Sequence, residues 1–223
     1  GTRDGLNRYE ANKFRIYRTA LSDCSSLSDS YITSLFEDSK KRLWVGTAIG
    51  LNLYFRDTDD FKRIAIGSNP SVEPLIYAVT EDKKGYIWVS SNQGLYRIHI
   101  TADDIRVQLA FNGRNISNQS FPNNAGNIQQ LYQDQQNRLW VSTNGGLYVF
   151  SAGGQTGLNK LIYSFQRKAG QLNNEEVRFV YEMKPGVFWI GTKEGGINVF
   201  HEASKSFSYL TTKSSFNEGA TLS

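Results

Sequence analysis

Four tryptophans are the residues of this sequence whose type and spacing first suggest chemistry. Indole rings offer large apolar faces, so a regular series of them could serve as a stacking platform for sugars. Each tryptophan, however, stands between two apolar residues, and a strand that is apolar on both faces is typical of burial between two layers. The pattern therefore predicts that Trp44, Trp88, Trp140 and Trp189 are mostly buried core residues.

Three aspartates precede a tryptophan by six residues, each in a short polar turn, and acidic turns can ligate a hard cation. They are Asp38, Asp82 and Asp134, and Met183 occupies the same place before the fourth tryptophan. One carboxylate in a turn supplies too few oxygen ligands for calcium. We therefore predict hydrogen bonding inside these turns and no metal site.

Catalytic motifs are sparse in this sequence. It has two histidines, His99 and His201, and a single cysteine, Cys24. It contains no nucleophile elbow, Cys-His pair or phosphate-binding glycine loop. Adjacent acids such as Glu175 and Glu176 leave open a carboxylate pair that only folding would assemble. The sequence predicts no catalysis by this chain and no cofactor.

Charge and hydropathy narrow the classes of partner further. The net charge of +4 raises the question of a polyanionic partner. The basic residues are dispersed, and the densest groups, at 38–42 and 81–84, fall at one repeat position beside acids. These groups indicate solvated turns and no nucleic-acid partner. No apolar run approaches the roughly 18 residues that a membrane span needs.

The tryptophans belong to a repeat, because they lie 44, 52 and 49 residues apart. In each unit an apolar strand precedes a polar turn, then the tryptophan strand, a glycine turn and two further strands. The residue three places before each tryptophan is Lys41, Gly85, Asn137 or Gly186, which predicts a tight turn with positive φ there. Four antiparallel strands in a unit of this length predict an all-β chain of β-propeller blades.

The repeat also predicts the domain organisation. We expect a single domain over residues 1–223, with a partial blade at 1–20 and blades at about 30–66, 75–111, 127–166 and 176–212. About four and a half blades cannot close a normal ring and leave edges unpaired. The chain is therefore expected to be a fragment of a larger propeller, either a truncated arc or a self-associated homodimer.

The pattern from Glu37 to Tyr54, with Leu-Trp-Val-Gly-Thr followed by Gly-Leu-Asn-Leu-Tyr, resembles the two-component regulator propeller repeat. Four copies and part of a fifth cover nearly the whole chain. The resemblance implies a periplasmic sensor region of a hybrid two-component system histidine kinase, anchored in the inner membrane. It implies recognition of a glycan or oligosaccharide, with further repeats, a membrane span and a kinase as partners. A structural or protein-interaction propeller that mediates dimerisation without a small-molecule ligand stays open as the alternative.

The ligand face is predicted from blade topology. Turns between second and third strands emerge on the same side as the connections between blades. The repeat keeps a glycine in these turns and varies the other residues, and the longest connection, at 112–127, is rich in Asn. Amides and charges beside an aromatic ring suit neutral or acidic sugars. The predicted ligand-binding residues are Arg3, Asn92, Gln93, Phe121, Asn144, Lys193 and Glu194.

Overall fold

A computed structural model describes residues 1–67, 69, 71–101, 104–111, 128–152 and 158–210. Within these ranges the chain forms 18 β-strands in antiparallel sheets and no helix. Four sheets have four strands each and one has two strands, and in every sheet the strands are neighbours in chain order. The sheets formed by the described residues do not close into a ring, and the predicted all-β, open set of propeller blades is confirmed.

The strands group as follows. The two-stranded sheet contains β1 (Leu6–Glu10) and β2 (Lys13–Tyr17). Blade 1 contains β3 (Ile32–Glu37), β4 (Leu43–Thr47), β5 (Gly50–Phe55) and β6 (Asp60–Ile64). Blade 2 contains β7 (Ile76–Glu81), β8 (Ile87–Ser91), β9 (Gly94–Ile100) and β10 (Ile105–Phe111). Blade 3 contains β11 (Ile128–Gln133), β12 (Arg138–Thr143), β13 (Gly146–Ala152) and β14 (Leu158–Phe165). Blade 4 contains β15 (Val177–Lys184), β16 (Val187–Thr192), β17 (Gly196–His201) and β18 (Ser206–Leu210). The assignment of all 223 residues to one domain stays a prediction.

Blades 1, 2 and 3 each pack their tryptophan face, the side of the sheet that carries the indole ring, against the following blade. Trp44 lies in one apolar cluster with Ile87 and Ile98 of blade 2. The ring of Trp140 stacks on Phe188 of blade 4 with centroids 4.1 Å apart. The clusters between blades are therefore the core of the array, and burial of this apolar area drives the stacking.

The predicted burial of the tryptophans is complete in blades 1, 2 and 3, each of which is followed by another described blade. Trp44, Trp88 and Trp140 are at most 1% exposed. Trp189 is only partly buried, because no described blade covers the tryptophan face of blade 4. Its local environment differs accordingly from that of the other three.

The aspartates before the tryptophan strands hold the indole rings. The Trp44 Nε1–H donates to Asp38 Oδ2 at 3.0 Å, and the Arg42 backbone N–H donates to Asp38 Oδ1 at 2.9 Å. The same indole bond recurs at 2.9 Å in blade 2 and 2.7 Å in blade 3. Burial alone would raise the pKa of Asp38, but the bonds from Trp44 and Arg42 outweigh it and lower that pKa. These carboxylates serve the turn and the core, as predicted.

The turn before each tryptophan strand has the predicted backbone conformation. Lys41 and Asn137 have φ of 62° and 63°, and Gly85 and Gly186 have φ of 80° and 74°. The left-handed region is costly for residues with a Cβ atom and free of that cost for glycine. The prediction of positive φ at all four positions is confirmed.

Substitution of Lys41 by glycine is therefore expected to stabilise blade 1. The gain should be up to about 1 kcal/mol, since relief of the left-handed strain slightly exceeds the added entropy of the unfolded chain. Chemical denaturation followed by circular dichroism measures it. Gly85→Lys is the reciprocal control and should destabilise blade 2, so a loss of stability in Lys41→Gly would contradict the argument.

The turn between second and third strands is closed by a small hydroxyl. The Thr47 Oγ1–H donates to the Gly50 carbonyl at 2.9 Å and Oγ1 accepts from the Ile49 N–H at 3.3 Å. Thr2 and Thr143 make the same pair of bonds in their own turns. The Thr of the Gly-Thr pair is thus explained by turn geometry.

One ion-pair network joins blades 3 and 4. Arg138 donates from Nε to Asp134 Oδ2 at 2.5 Å, and both of its terminal nitrogens donate to the Glu202 carboxylate. The Tyr163 hydroxyl donates to the same carboxylate at 3.1 Å. The hydrogen bonds from Arg138 lower the pKa of Glu202. Glu202 therefore holds the guanidinium of the preceding blade in a fixed two-pronged geometry.

Candidate ligand-binding site

The turns that the sequence assigns to the ligand face lie beside the entrances of the first strands. Their backbone N–H groups donate to the residue just before the first strand of the same blade, as from Asn92 to Leu75 at 3.1 Å and from Lys193 to Glu176 at 3.0 Å. The first strands β3, β7, β11 and β15 contact one another in succession and line the axis of the array. We call this end of the axis the mouth.

Each first strand begins with a β-bulge. The pairing with the second strand shifts by one residue and leaves one residue unpaired. The four unpaired residues are Thr33, Tyr77, Gln129 and Arg178. A bulge redirects a side chain away from the regular pleat, and such positions are common beside binding sites. The bulges therefore place four different side chains at the mouth.

A polar cluster of Gln129, Glu176, Arg178 and Lys193 forms where blades 3 and 4 meet at the mouth. Arg178 Nη1 donates to the Gln129 side-chain carbonyl at 2.7 Å, and Arg178 Nη2 lies 3.2 Å from a Glu176 carboxylate oxygen. The Lys193 Nζ lies 3.2 Å from the other oxygen of Glu176. The cluster therefore links two blades through one acid, one amide and two cations.

The polar cluster is accessible to a ligand. The side chains of Arg178, Glu176 and Lys193 are 43%, 32% and 48% exposed. A guanidinium and an amide offer fixed pairs of donors and acceptors that match vicinal hydroxyls, and the two cations favour a carboxylate. The cluster can therefore bind a polar, ring-shaped or acidic molecule through hydrogen bonds and charge.

Two of the predicted residues already have intramolecular partners. Asn92 accepts from the Leu75 N–H and donates to the Glu73 carbonyl, both within 3.1 Å. Gln93 accepts from the Asn69 N–H at 3.1 Å and donates to the Val72 carbonyl at 2.6 Å. These amides fasten the connection between blades 1 and 2, and a role in ligand binding stays a prediction for both.

The other predicted residues have varied settings. The guanidinium of Arg3 lies 5.5 Å from the centre of the Tyr31 ring. The Oδ1 atom of Asn144 is enclosed and has no hydrogen-bond partner within the described ranges. Lys193 belongs to the polar cluster, Glu194 is exposed, and Phe121 lies outside the described residues, as does the connection at 112–127.

Sequence reasoning missed Gln129 and Arg178, although a signal for them exists. They stand 11 residues before their tryptophans, as do Thr33 and Tyr77, in strands that are otherwise rich in apolar residues. A position that varies freely inside a fixed apolar pattern marks a side chain excluded from the core. Only the bulge, which the sequence pattern does not reveal, shows where such a side chain is directed.

The described residues also show how the acidic and metal-binding side chains are arranged. Glu176 faces two cations rather than a second carboxylate, and its neighbour Glu175 is exposed. In the same part of the chain no group of three or more His, Cys, Asp or Glu side chains is placed to hold a metal ion. A search of these residues for a helix of membrane-spanning length and hydropathy found none.

Comparison with known families identifies the repeat. The family model described as two component regulator propeller matches residues 26–48 and 123–145. The first match contains the first two strands of blade 1, and the second contains the first two strands of blade 3. Two segments of the chain therefore match the two-component regulator propeller repeat, as the sequence pattern predicts. No curated protein matches the chain significantly.

Solved structures share the fold. The extracellular domain of a putative hybrid two component system from B. thetaiotaomicron aligns with 95% of this chain and 25% of its own, with a TM-score of 0.68 and 22% identity. PorZ, a surface component of the type-IX secretion system of Porphyromonas gingivalis, aligns with 95% of this chain and 32% of its own (TM-score 0.66, 14% identity). Catalytically inactive virginiamycin B lyase from Staphylococcus aureus aligns with 91% of this chain and 61% of its own (TM-score 0.60, 16% identity). The chain thus spans about a quarter of the first of these proteins.

Proposed function

We propose that this chain is a ligand-sensing module of a hybrid two-component regulator and acts outside the cytoplasm, in the periplasm. The repeats and the likeness to the extracellular domain of a hybrid two component system support this role. In the proposal the module itself is not an enzyme. Its longer parent protein is anchored in the inner membrane and passes the signal to a histidine kinase.

The ligand in this proposal is a glycan or oligosaccharide that binds at the mouth. The observation that carries it is the polar cluster, in which the bulged residues Gln129 and Arg178 present an amide and a guanidinium side by side. Sugars require such paired donors and acceptors, and an acidic sugar would in addition offer a carboxylate to Arg178 and Lys193. The predicted turn residues Arg3, Asn92, Gln93, Phe121, Asn144 and Glu194 surround this position in the proposal.

The proposal predicts that Arg178→Ala weakens oligosaccharide binding by about tenfold or more, because a charge-assisted hydrogen bond is lost. Titration calorimetry with neutral and uronate-containing oligosaccharides measures the effect. Arg56→Ala is the matched control, since Arg56 is an exposed arginine paired with Glu37 at the far end of blade 1. Equal binding by both folded variants would contradict the placement of the site. A combined variant of Asn92, Gln93, Asn144 and Phe121 tests the turn residues separately.

A protein-interaction role is the second candidate, because the outer faces of the array are apolar. Tyr9 and Phe14 are 63% and 69% exposed on the two-stranded sheet, and Phe179 and Tyr181 are 40% and 55% exposed on blade 4. Exposed apolar patches of this kind mark protein contacts. If no oligosaccharide binds and the chain forms a homodimer whose formation depends on these residues, this second role replaces the first.

A further inference from the structure

The contact between blades 1 and 2 differs from that between blades 3 and 4 by the loss of one carboxylate. Arg42 stands two residues before Trp44, as Arg138 does before Trp140. Its Nε–H donates to Asp38 at 2.6 Å, as that of Arg138 donates to Asp134. The two arginines are therefore held alike within their own blades, and they differ in what the following blade offers them.

Blade 2 has an apolar residue where blade 4 has the acid. Glu202 lies six residues after Gly196, and the residue six places after the equivalent Gly94 is Ile100. The tyrosine that also binds Glu202 is replaced as well. Tyr163 pairs with Val149 of the neighbouring strand, and Lys62 pairs with the equivalent Leu53. An arginine, a tyrosine and a glutamate in one contact thus become an arginine, a lysine and an isoleucine in the other.

A cleft of about 450 Å³ lies between blades 1 and 2 where these residues meet. Its volume is in the range that holds small organic ligands. Its apolar wall includes Leu53, Phe55, Ile100, Ile105 and Val107. In the contact between blades 3 and 4, four aromatic rings from Tyr163, Phe165, Phe200 and Phe207 pack together within 5.6 Å between centroids.

The cleft carries cations and lacks, beside Arg42, the carboxylate that Glu202 provides beside Arg138. Arg42 and Lys62 both line it. Asp38 is the only acceptor of side-chain hydrogen bonds from Arg42 in the described part of the chain, so the terminal guanidinium nitrogens face the cleft unpaired. Asp104 also lines the cleft; its carboxylate accepts from Arg106 Nε at 2.8 Å and is attracted as well by the charge of Lys62. The Arg42 side chain is 21% exposed, which leaves it reachable.

We propose that this cleft binds a small organic acid, with its carboxylate on Arg42 and Lys62 and its apolar body against the wall of Leu53, Ile100 and Val107. The carboxylate would occupy the place that Glu202 fills for Arg138. A guanidinium binds a carboxylate with two parallel hydrogen bonds, and the apolar wall selects an aliphatic or aromatic body over a purely polar one.

The cleft runs along β6, and its charged part, at Arg42 and Lys62, lies at the opposite end of the blades from the mouth. Arg42 precedes the second strand of blade 1, and Ile100 and Ile105 flank the turn between the third and fourth strands of blade 2. In an antiparallel blade these turns and the turns of the mouth are at opposite ends of the strands. The proposed acid site is therefore separate from the proposed glycan site, and it stands or falls independently of it.

The test uses the 223-residue chain with benzoate and hexanoate as probes, and benzamide and hexanamide as neutral counterparts, at constant ionic strength. Chemical-shift titration and thermal shift report binding. We expect both acids to bind the native chain and both amides to fail. Ile100→Glu supplies an internal carboxylate to Arg42 and should abolish binding of the acids. Arg42→Met should weaken it by about tenfold or more.

Glu202→Ala provides a positive control in the same chain, because it empties the equivalent position beside Arg138. The same acids should raise the melting temperature of this variant. If they do so but show no binding at the blade 1 cleft, the proposal is wrong. Binding that is equal in the native chain and in Arg42→Met would also overturn it, and this second variant decides the matter if Ile100→Glu fails to fold.

Discussion

Replacement of Trp140 by alanine should lower the free energy of unfolding by about 3 to 5 kcal/mol, which is the usual cost of removing a buried aromatic residue. Its ring is fully buried, stacks on Phe188 at 4.1 Å and donates its indole N–H to Asp134. Alanine would leave a cavity between two blades as well as an unpaired carboxylate oxygen. The loss in the free energy of unfolding should therefore come mainly from weaker packing between blades 3 and 4.

Trp189→Ala is the matched comparison, because Trp189 occupies the same position in its own blade. It is only partly buried, and Met183 stands where the other blades have an aspartate. Its removal should cost about half as much or less, since less apolar area returns to water. Urea unfolding followed by far-ultraviolet circular dichroism measures both variants without relying on tryptophan emission. Equal costs would show that the tryptophan faces are not what joins the blades.

Replacement of Asp134 by alanine should be about as damaging, at roughly 3 to 5 kcal/mol, because it breaks a buried charge pair by removing one partner. The side chain is fully buried and accepts from the Arg138 backbone N–H, from Arg138 Nε and from the Trp140 indole. Three buried donors lose their acceptor together, and Arg138 loses one of its two carboxylate partners.

Two variants separate charge from shape in this experiment. Asp134→Asn keeps the size of the side chain and should lie between the native chain and Asp134→Ala, because an amide has one acceptor oxygen in place of two and carries no charge. Asp4→Ala removes an exposed ion pair with Arg18 and should change the stability little. If Asp134→Ala unfolds at the same urea concentration as Asp4→Ala, the network does not hold blades 3 and 4 together.

The fold could be predicted from the repeat because each of its local features indicates the same four-stranded antiparallel blade. The spacing of the tryptophans, the glycine turns and the positive φ at Lys41 and Asn137 are all properties of the chain within one unit. The equivalence of Arg42 and Arg138 is also visible in the sequence. What joins Arg138 to Glu202 is not, because the two residues are 64 positions apart and meet only when blades stack.

The candidate site was harder to predict than the fold. Asn92 and Gln93 are polar turn residues, and polarity alone does not show whether an amide binds a ligand or its own backbone. In the structure both bind the connection between blades. Arg178 lies in a strand whose apolar pattern predicts burial, and only the β-bulge after Val177 brings its side chain to the mouth. A β-bulge depends on how two strands pair, so the amino-acid composition of either strand does not reveal it.

The packing of the tryptophan faces of blades 1, 2 and 3 on the next blade gives the array a direction, and this has a consequence for how such proteins change over generations. Each junction uses the same two kinds of surface, so duplication or deletion of one unit in the gene leaves junctions of an existing type. Blade number can therefore vary without the invention of a new interface. A junction that has acquired its own pair, such as Arg138 with Glu202, no longer accepts any neighbour equally. A blade with isoleucine in the place of Glu202 would leave the terminal nitrogens of the arginine unpaired. Accumulated pairs of this kind would fix the order of blades that began as interchangeable copies.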